Sequence, residues 1–90
     1  MPKATTTTKE ECMKYFTRMA IMRRTEVVSD MQYKSKAIAG FCHLYDGQEA
    51  IAEGIEAATT YEDCIITAYR NHCIAIGRGI TPYEILAEMM

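Results

Sequence analysis

No run of apolar residues in this 90-residue chain approaches the roughly 20 that a membrane-crossing helix needs. A membrane span is therefore not expected. The four cysteines, Cys12, Cys42, Cys64 and Cys73, form no C-x-x-C pair, and their gaps match no zinc pattern. An even count also fits two disulfides, but the spacing is not that of a stapled mini-protein and no signal peptide precedes them. Free thiols in a reducing compartment are expected. Charge of one sign is lacking too: 10 Lys and Arg face 12 Asp and Glu, a net charge of −2. Electrostatics gives no reason to expect nucleic acid or an anionic membrane as partner. The start, Met1 to Lys9, is neither an apolar secretory segment nor an Arg-rich transit peptide.

Apolar residues are plentiful, 49% of the chain with 7 Met and 6 Tyr. A chain of this size is one small domain at most and buries only about two thirds of its surface. It carries more apolar surface than a small solitary core needs. The outlet is a partner surface or the remainder of a larger fold.

Residues 1–8 read as a mobile polar leader with Pro2 and a Thr run. Thr8-Lys9-Glu10-Glu11 has the form of a capping box. From there Cys12, Tyr15, Phe16, Met19, Ala20, Met22, Val27 and Met31 recur mostly every three or four residues. With no Gly or Pro between them, they predict one long amphipathic helix over Lys9 to Lys36. Arg18, Arg23, Arg24 and Glu26 read as its solvated face, or, for Arg23 and Arg24, as a hold on a neighbouring subunit. Asp46, with Glu49 three residues on, predicts a second helix start. Ala50, Ile51, Gly54, Ile55 and Ala58 would give that helix a narrow face for close packing.

Thr59 to Asp63 reads as a turn, and Cys64-Ile65-Ile66-Thr67-Ala68 as a short buried strand. That strand runs into Tyr69-Arg70-Asn71-His72 and then a helical turn closed by Gly77 or Gly79. A polar cluster where a buried strand meets a helix is a usual ligand position in an open α/β sheet. Thr81-Pro82-Tyr83-Glu84 opens a last helix, whose apolar stripe ends without a C-cap and so predicts a longer fold. The fold class expected is α/β, this segment mostly helical with a long first helix and one short buried strand.

Two polar segments carry the candidate chemistry. One is Gly40-Phe41-Cys42-His43-Leu44-Tyr45-Asp46-Gly47-Gln48-Glu49, the other Ile66-Thr67-Ala68-Tyr69-Arg70-Asn71-His72. A guanidinium grips phosphate oxygens in two-pronged fashion, and a phenol can donate one more hydrogen bond. Alone, a Tyr-Arg pair is weak evidence, since an Arg near a helix start is usually a surface charge. His43 among apolar neighbours is by itself more often a structural residue than a catalytic one.

In this order and separation, and with Arg23-Arg24, Tyr33-Lys34-Ser35-Lys36 and Gly77-Arg78-Gly79, the segments resemble the alpha subunits of pyruvate dehydrogenase E1 components. The resemblance covers Lys9 to Met90. It implies the amino-terminal portion of a thiamine-diphosphate-binding fold, with residues 9–90 as an incomplete part of that domain. It implies decarboxylation of a 2-oxo acid, pyruvate, with transfer of the acyl unit to a lipoyl group. Tyr69 and Arg70 match the residues that contact the cofactor's diphosphate. His43 falls near the substrate channel, and His72 behind the ligand-contacting residues. The family binds thiamine diphosphate with Mg2+, but its Gly-Asp-Gly motif and downstream Asn are not in this sequence. The implied partners are an E1 beta subunit, the remainder of the alpha subunit and a lipoyl-bearing E2, in the mitochondrial matrix. Phe16, Met19 and Met31 are candidates for such contact, and the isolated chain is expected to be inactive.

Two other readings stay open. The segment could serve as a non-catalytic structural or assembly subunit of a larger mitochondrial complex, or as a small helical interaction module. A companion chain bearing the magnesium motif would distinguish an enzyme part from both.

Overall fold

The computed structural model describes residues 6–90. The reading of 1–8 as a leader therefore lies largely outside the described residues. Helix α1 is Lys9–Lys34, about 39 Å long at 1.5 Å per residue. Thr8 caps it, its hydroxyl accepting from the Glu11 amide at 3.1 Å. The Glu11 carboxylate does not close the box; it accepts instead from the Thr7 hydroxyl at 2.9 Å. The helix ends two residues earlier than the spacing predicts, and Lys36 turns into the left-handed region with φ +67°. Three short helices follow: α2 Glu49–Ala58, α3 His72–Gly77 and α4 Pro82–Met89.

The expected α/β class is corrected. Among the described residues there is no strand; every regular element is a helix. Residues 64–68 form no ladder, and Ile66 is 99% exposed rather than buried. β-branched residues favour extended backbone, but a strand also needs a neighbour to take its N–H and C=O groups. No other described segment lies beside this one as a strand.

Helices α2 and α3 pack on the middle of α1. Met22, Tyr45, Ala52 and Cys73 form the buried cluster, flanked by Ile74 and Ile76. Each large side chain fully buried there contributes about 1.5–3 kcal/mol. The rest of the interface is ionic. Glu53 of α2 meets Arg18 at 3.3 Å. Glu49 takes Arg23 in two-pronged fashion, one of the two contacts being 3.2 Å. Glu56 meets Arg78 at 3.6 Å. Arg23 is thus spent within the chain, and its carboxylate partner is held below the usual range by that hydrogen bond.

This arrangement turns two expected faces round. On α1 the buried residues are Met22, Thr25, Glu26 and Ser29, while Phe16, Val27 and Met31 of the apolar stripe are exposed. On α2 the buried residues are Glu49, Ala52 and Glu53, and the small-residue face with Ala50, Gly54 and Ala58 is exposed. The cause is that α2 approaches α1 through its carboxylates, which pair with the α1 arginines. The start of α2 also moves: Gln48, not Asp46, is its N-cap residue. Asp46 lies in the turn closed by the Gln48 amide on the Tyr45 carbonyl at 3.0 Å.

Two glycines shape the junction with α3. At Gly77 a Cβ would meet the Glu56 side chain at 3.3 Å, so α3 ends close against α2. Gly79, with φ +101°, reverses the chain: the Gly79 amide bonds the Ile76 carbonyl and the Ile80 amide bonds the Ala75 carbonyl, each at 3.0 Å. That pair of bonds is the glycine-closed helix end described by Schellman geometry. Thr81 then opens α4 with both halves of a capping box, the Glu84 amide donating at 3.2 Å and the Thr81 amide at 3.0 Å.

Candidate functional site

Three stretches of chain meet at one cleft of about 300 Å³. The loop after α1 supplies Ile38, Ala39, Phe41, Cys42 and His43. The turn into α3 supplies Tyr69, Arg70, Asn71 and His72, and the end of α4 supplies Glu88 and Met89. Size does not single this cleft out, since another beside the end of α2 measures about 370 Å³. The convergence of two histidines, a phenol and a guanidinium does.

His43 stands between two aromatic rings, its centroid 4.5 Å from Phe41 and 4.6 Å from Tyr69. Its Nδ1 is buried and has no hydrogen-bond partner among the described residues. A buried polar atom left without a partner costs about 1–3 kcal/mol. Arg70 lies over the Tyr69 ring at 5.3 Å. Arg18, Arg23 and Arg78 each hold an α2 carboxylate. Arg70 holds none among the described residues, so its charge is available to the cleft. Its backbone has φ +57°, a region that a non-glycine residue occupies at a cost on the order of 1 kcal/mol. Such a cost is sustained where the surroundings fix the turn.

His72 begins α3, and its Nδ1 lies 2.8 Å from Glu26 Oε1. Glu26 is 0% exposed, and its Oε2 has no hydrogen-bond partner. The hydrogen bond to Glu26 raises the His72 pKa; burial works against it, and the charges of Glu26 and Glu88 add to the rise. Cys73 follows, fully buried, with its thiol pushed up to about 12 by burial and by the charges of Glu26, Glu49 and Asp46. Cys42 is raised too, mainly by burial. Both thiols are therefore neutral near pH 7.

The structure brings all four residues singled out by sequence, His43, Tyr69, Arg70 and His72, to the same cleft. His72 is among the residues that line the cleft. Glu26 had read as a solvated charge and is a buried partner of His72. Its position was visible in part, since Met22, Glu26 and Ser29 follow at four and three residues, the repeat of one helix face. Glu88 carries no such local signal; only the return of α4 brings it to the cleft. Among the described residues no cluster of His, Cys, Asp and Glu could hold a metal ion. No described helix is long and apolar enough to cross a membrane.

A helical frame thus gathers imidazole, guanidinium and phenolic groups at one cleft. Residues 17–90 match the sequence profile of the dehydrogenase E1 component, and the chain belongs to that family. It is 54% identical over 88 residues to the mitochondrial pyruvate dehydrogenase E1 component subunit alpha of Pisum sativum, covering 98% of this chain and 22% of the relative. The Solanum tuberosum subunit of the same name is 60% identical over 84 residues, covering 93% and 22%. That of Dictyostelium discoideum is 53% identical over 87 residues, covering 97% and 23%. The chain spans about a fifth of the length of the curated relatives it matches.

Proposed function

We propose that this chain is part of the alpha subunit of a mitochondrial pyruvate dehydrogenase E1 component, which decarboxylates pyruvate and passes the acetyl group to a lipoyl domain. The observation that carries this reading is the meeting of His43, Tyr69 and Arg70 at one cleft, in a chain related to such subunits over nearly its whole length. The residues fit thiamine diphosphate. Arg70 has no carboxylate competing for it, and its guanidinium and the Tyr69 hydroxyl would hold diphosphate oxygens. His43 Nδ1, buried and unpartnered, would bond the carboxylate or carbonyl of pyruvate. Bound there, the cofactor supplies the electron sink for loss of carbon dioxide. The chain's own part is to bind and orient.

The magnesium ligands are not in this chain, so the isolated 90 residues would be inactive. The partners would be an E1 beta subunit, the remainder of the alpha subunit and a lipoyl-bearing E2, in the mitochondrial matrix. The exposed Phe16 and Met31 on α1 suit burial against such partners.

The test is purification from the native source with identification of the co-purifying chains, followed by cofactor titration. Recovery with an E1 beta subunit and a chain bearing the magnesium motif is expected. Arg70→Ala should then weaken thiamine diphosphate binding about tenfold to a hundredfold, the range for a charged hydrogen bond. Recovery with an unrelated complex, and no effect of Arg70→Ala, would instead make the segment a structural subunit.

A further inference from the structure

The carboxylate of Glu26 lies inside the protein with one oxygen on His72 and the other on nothing. A buried carboxylate is stable only beside a compensating positive or donor group. Among the described residues, the His72 ring is the one cation-capable group within hydrogen-bond reach of it. With Nδ1 committed to Glu26, Nε2 is the ring nitrogen left for the cleft that His72 lines.

We propose that Glu26 is a positioning residue that makes His72 an anion-binding group of the cleft, with the carboxylate fixing Nδ1 so that a protonated Nε2 meets an anionic oxygen of the ligand. This rests on the reading of the cleft as a site for a diphosphate and a 2-oxo acid. The groups around His72 agree with it. Glu26 on α1 and Glu88 on α4 favour the charged ring. Burial opposes it, and Arg70, from the turn beside it, is the other charged group lining the cleft. Cys42 and Cys73 are neutral and His43 completes the wall. The same bond ties α1 to the residue two places after Arg70, and so steadies a turn that Arg70 occupies with positive φ.

The oxygen could belong to the diphosphate or to the carboxylate of the 2-oxo acid. Calorimetric titration of the assembled subunits from about pH 6 to about pH 9 spans the range in which a raised histidine changes charge. One arm uses thiamine diphosphate, and the other uses the pH dependence of KM for pyruvate. In the wild type, affinity falls by up to about tenfold per pH unit once His72 loses its proton. Glu26→Gln keeps a hydrogen-bonding side chain but removes the charge, and should move that fall to lower pH. Glu26→Asp should restore part of it, and His72→Asn should remove it. A shift confined to the first arm assigns the oxygen to the diphosphate; one confined to the second assigns it to the carboxylate. Profiles that coincide for wild type and His72→Asn in both arms, while Arg70→Ala still weakens binding, overturn the proposal. His72→Asn serves this purpose even where the Glu26 variants do not fold. If Arg70→Ala is without effect, the reading of the cleft itself fails.

Discussion

Cys73 and Ile66 stand seven positions apart and live in opposite surroundings. Cys73 is wholly enclosed by α1, α2 and the loop between them, and Ile66 is 99% exposed. Around Cys73 three carboxylates of the junction each meet a basic side chain: Glu26 with His72, Glu49 with Arg23, Glu53 with Arg18. Around Ile66 a β-branched segment has no strand to pair with among the described residues. The junction is determined by contacts within these residues, whereas the segment is suited to contacts they do not include. The cleft lies where the two meet, with His72 rooted in the first region and Tyr69 and Arg70 leaving the second.

The sharpest way to break this contrast is at the junction. Met22→Ala removes a fully buried side chain and should cost about 2–5 kcal/mol in a denaturant titration. A cost comparable to that of an exposed substitution would mean that α1 and α3 are not held by this core. The next largest effect is expected from pH. His72 has a raised pKa in the folded chain. Its pairing with Glu26 therefore adds stability that is fully present below the unfolded histidine pKa and is lost as pH rises through the raised one. Thermal unfolding across that window should show a falling Tm, and His72→Asn should flatten the fall. The smallest effect belongs to the other region. Ile66→Ser should change the stability of the described fold by less than about 0.5 kcal/mol. If it proves costly in the assembled subunits but not in the isolated chain, the residues that cover Ile66 belong to a partner.

The same contrast decides what could be read in advance. Caps and turn residues act locally, and Thr8, Thr81 with Pro82, and Gly79 stand where their chemistry puts them. The long helix followed from an uninterrupted period. The buried faces did not follow, because hydrophobic periodicity alone assigns burial to apolar residues. Here α1 turns Glu26 and Ser29 inward and leaves Phe16 and Met31 outside. Glutamates four and seven residues apart on α2, at 49, 53 and 56, form a ridge that matches arginines on α1 and after α3. That match is a property of two elements together, and no single stretch displays it. The apolar run at 64–68 misled for a related reason, since extended preference is local and pairing is not. The candidate residues sit in two compact segments, so only two stretches of chain had to meet to bring them to one cleft. Glu26 and Glu88, from α1 and α4, needed the packing.

Helix α3 is only six residues long, and in water a helix of that length does not hold its own hydrogen bonds. It persists because Cys73 is clasped by the core and His72 by Glu26. Its amides should therefore exchange with solvent deuterium together, in the single event by which α3 lifts from α1. Since His72 is also part of the cleft wall, that event takes the wall apart. The exchange rate of α3 is thus a clock for cleft opening, and it should slow when a ligand spans Arg70 and His72, even where the remaining helices keep their pace.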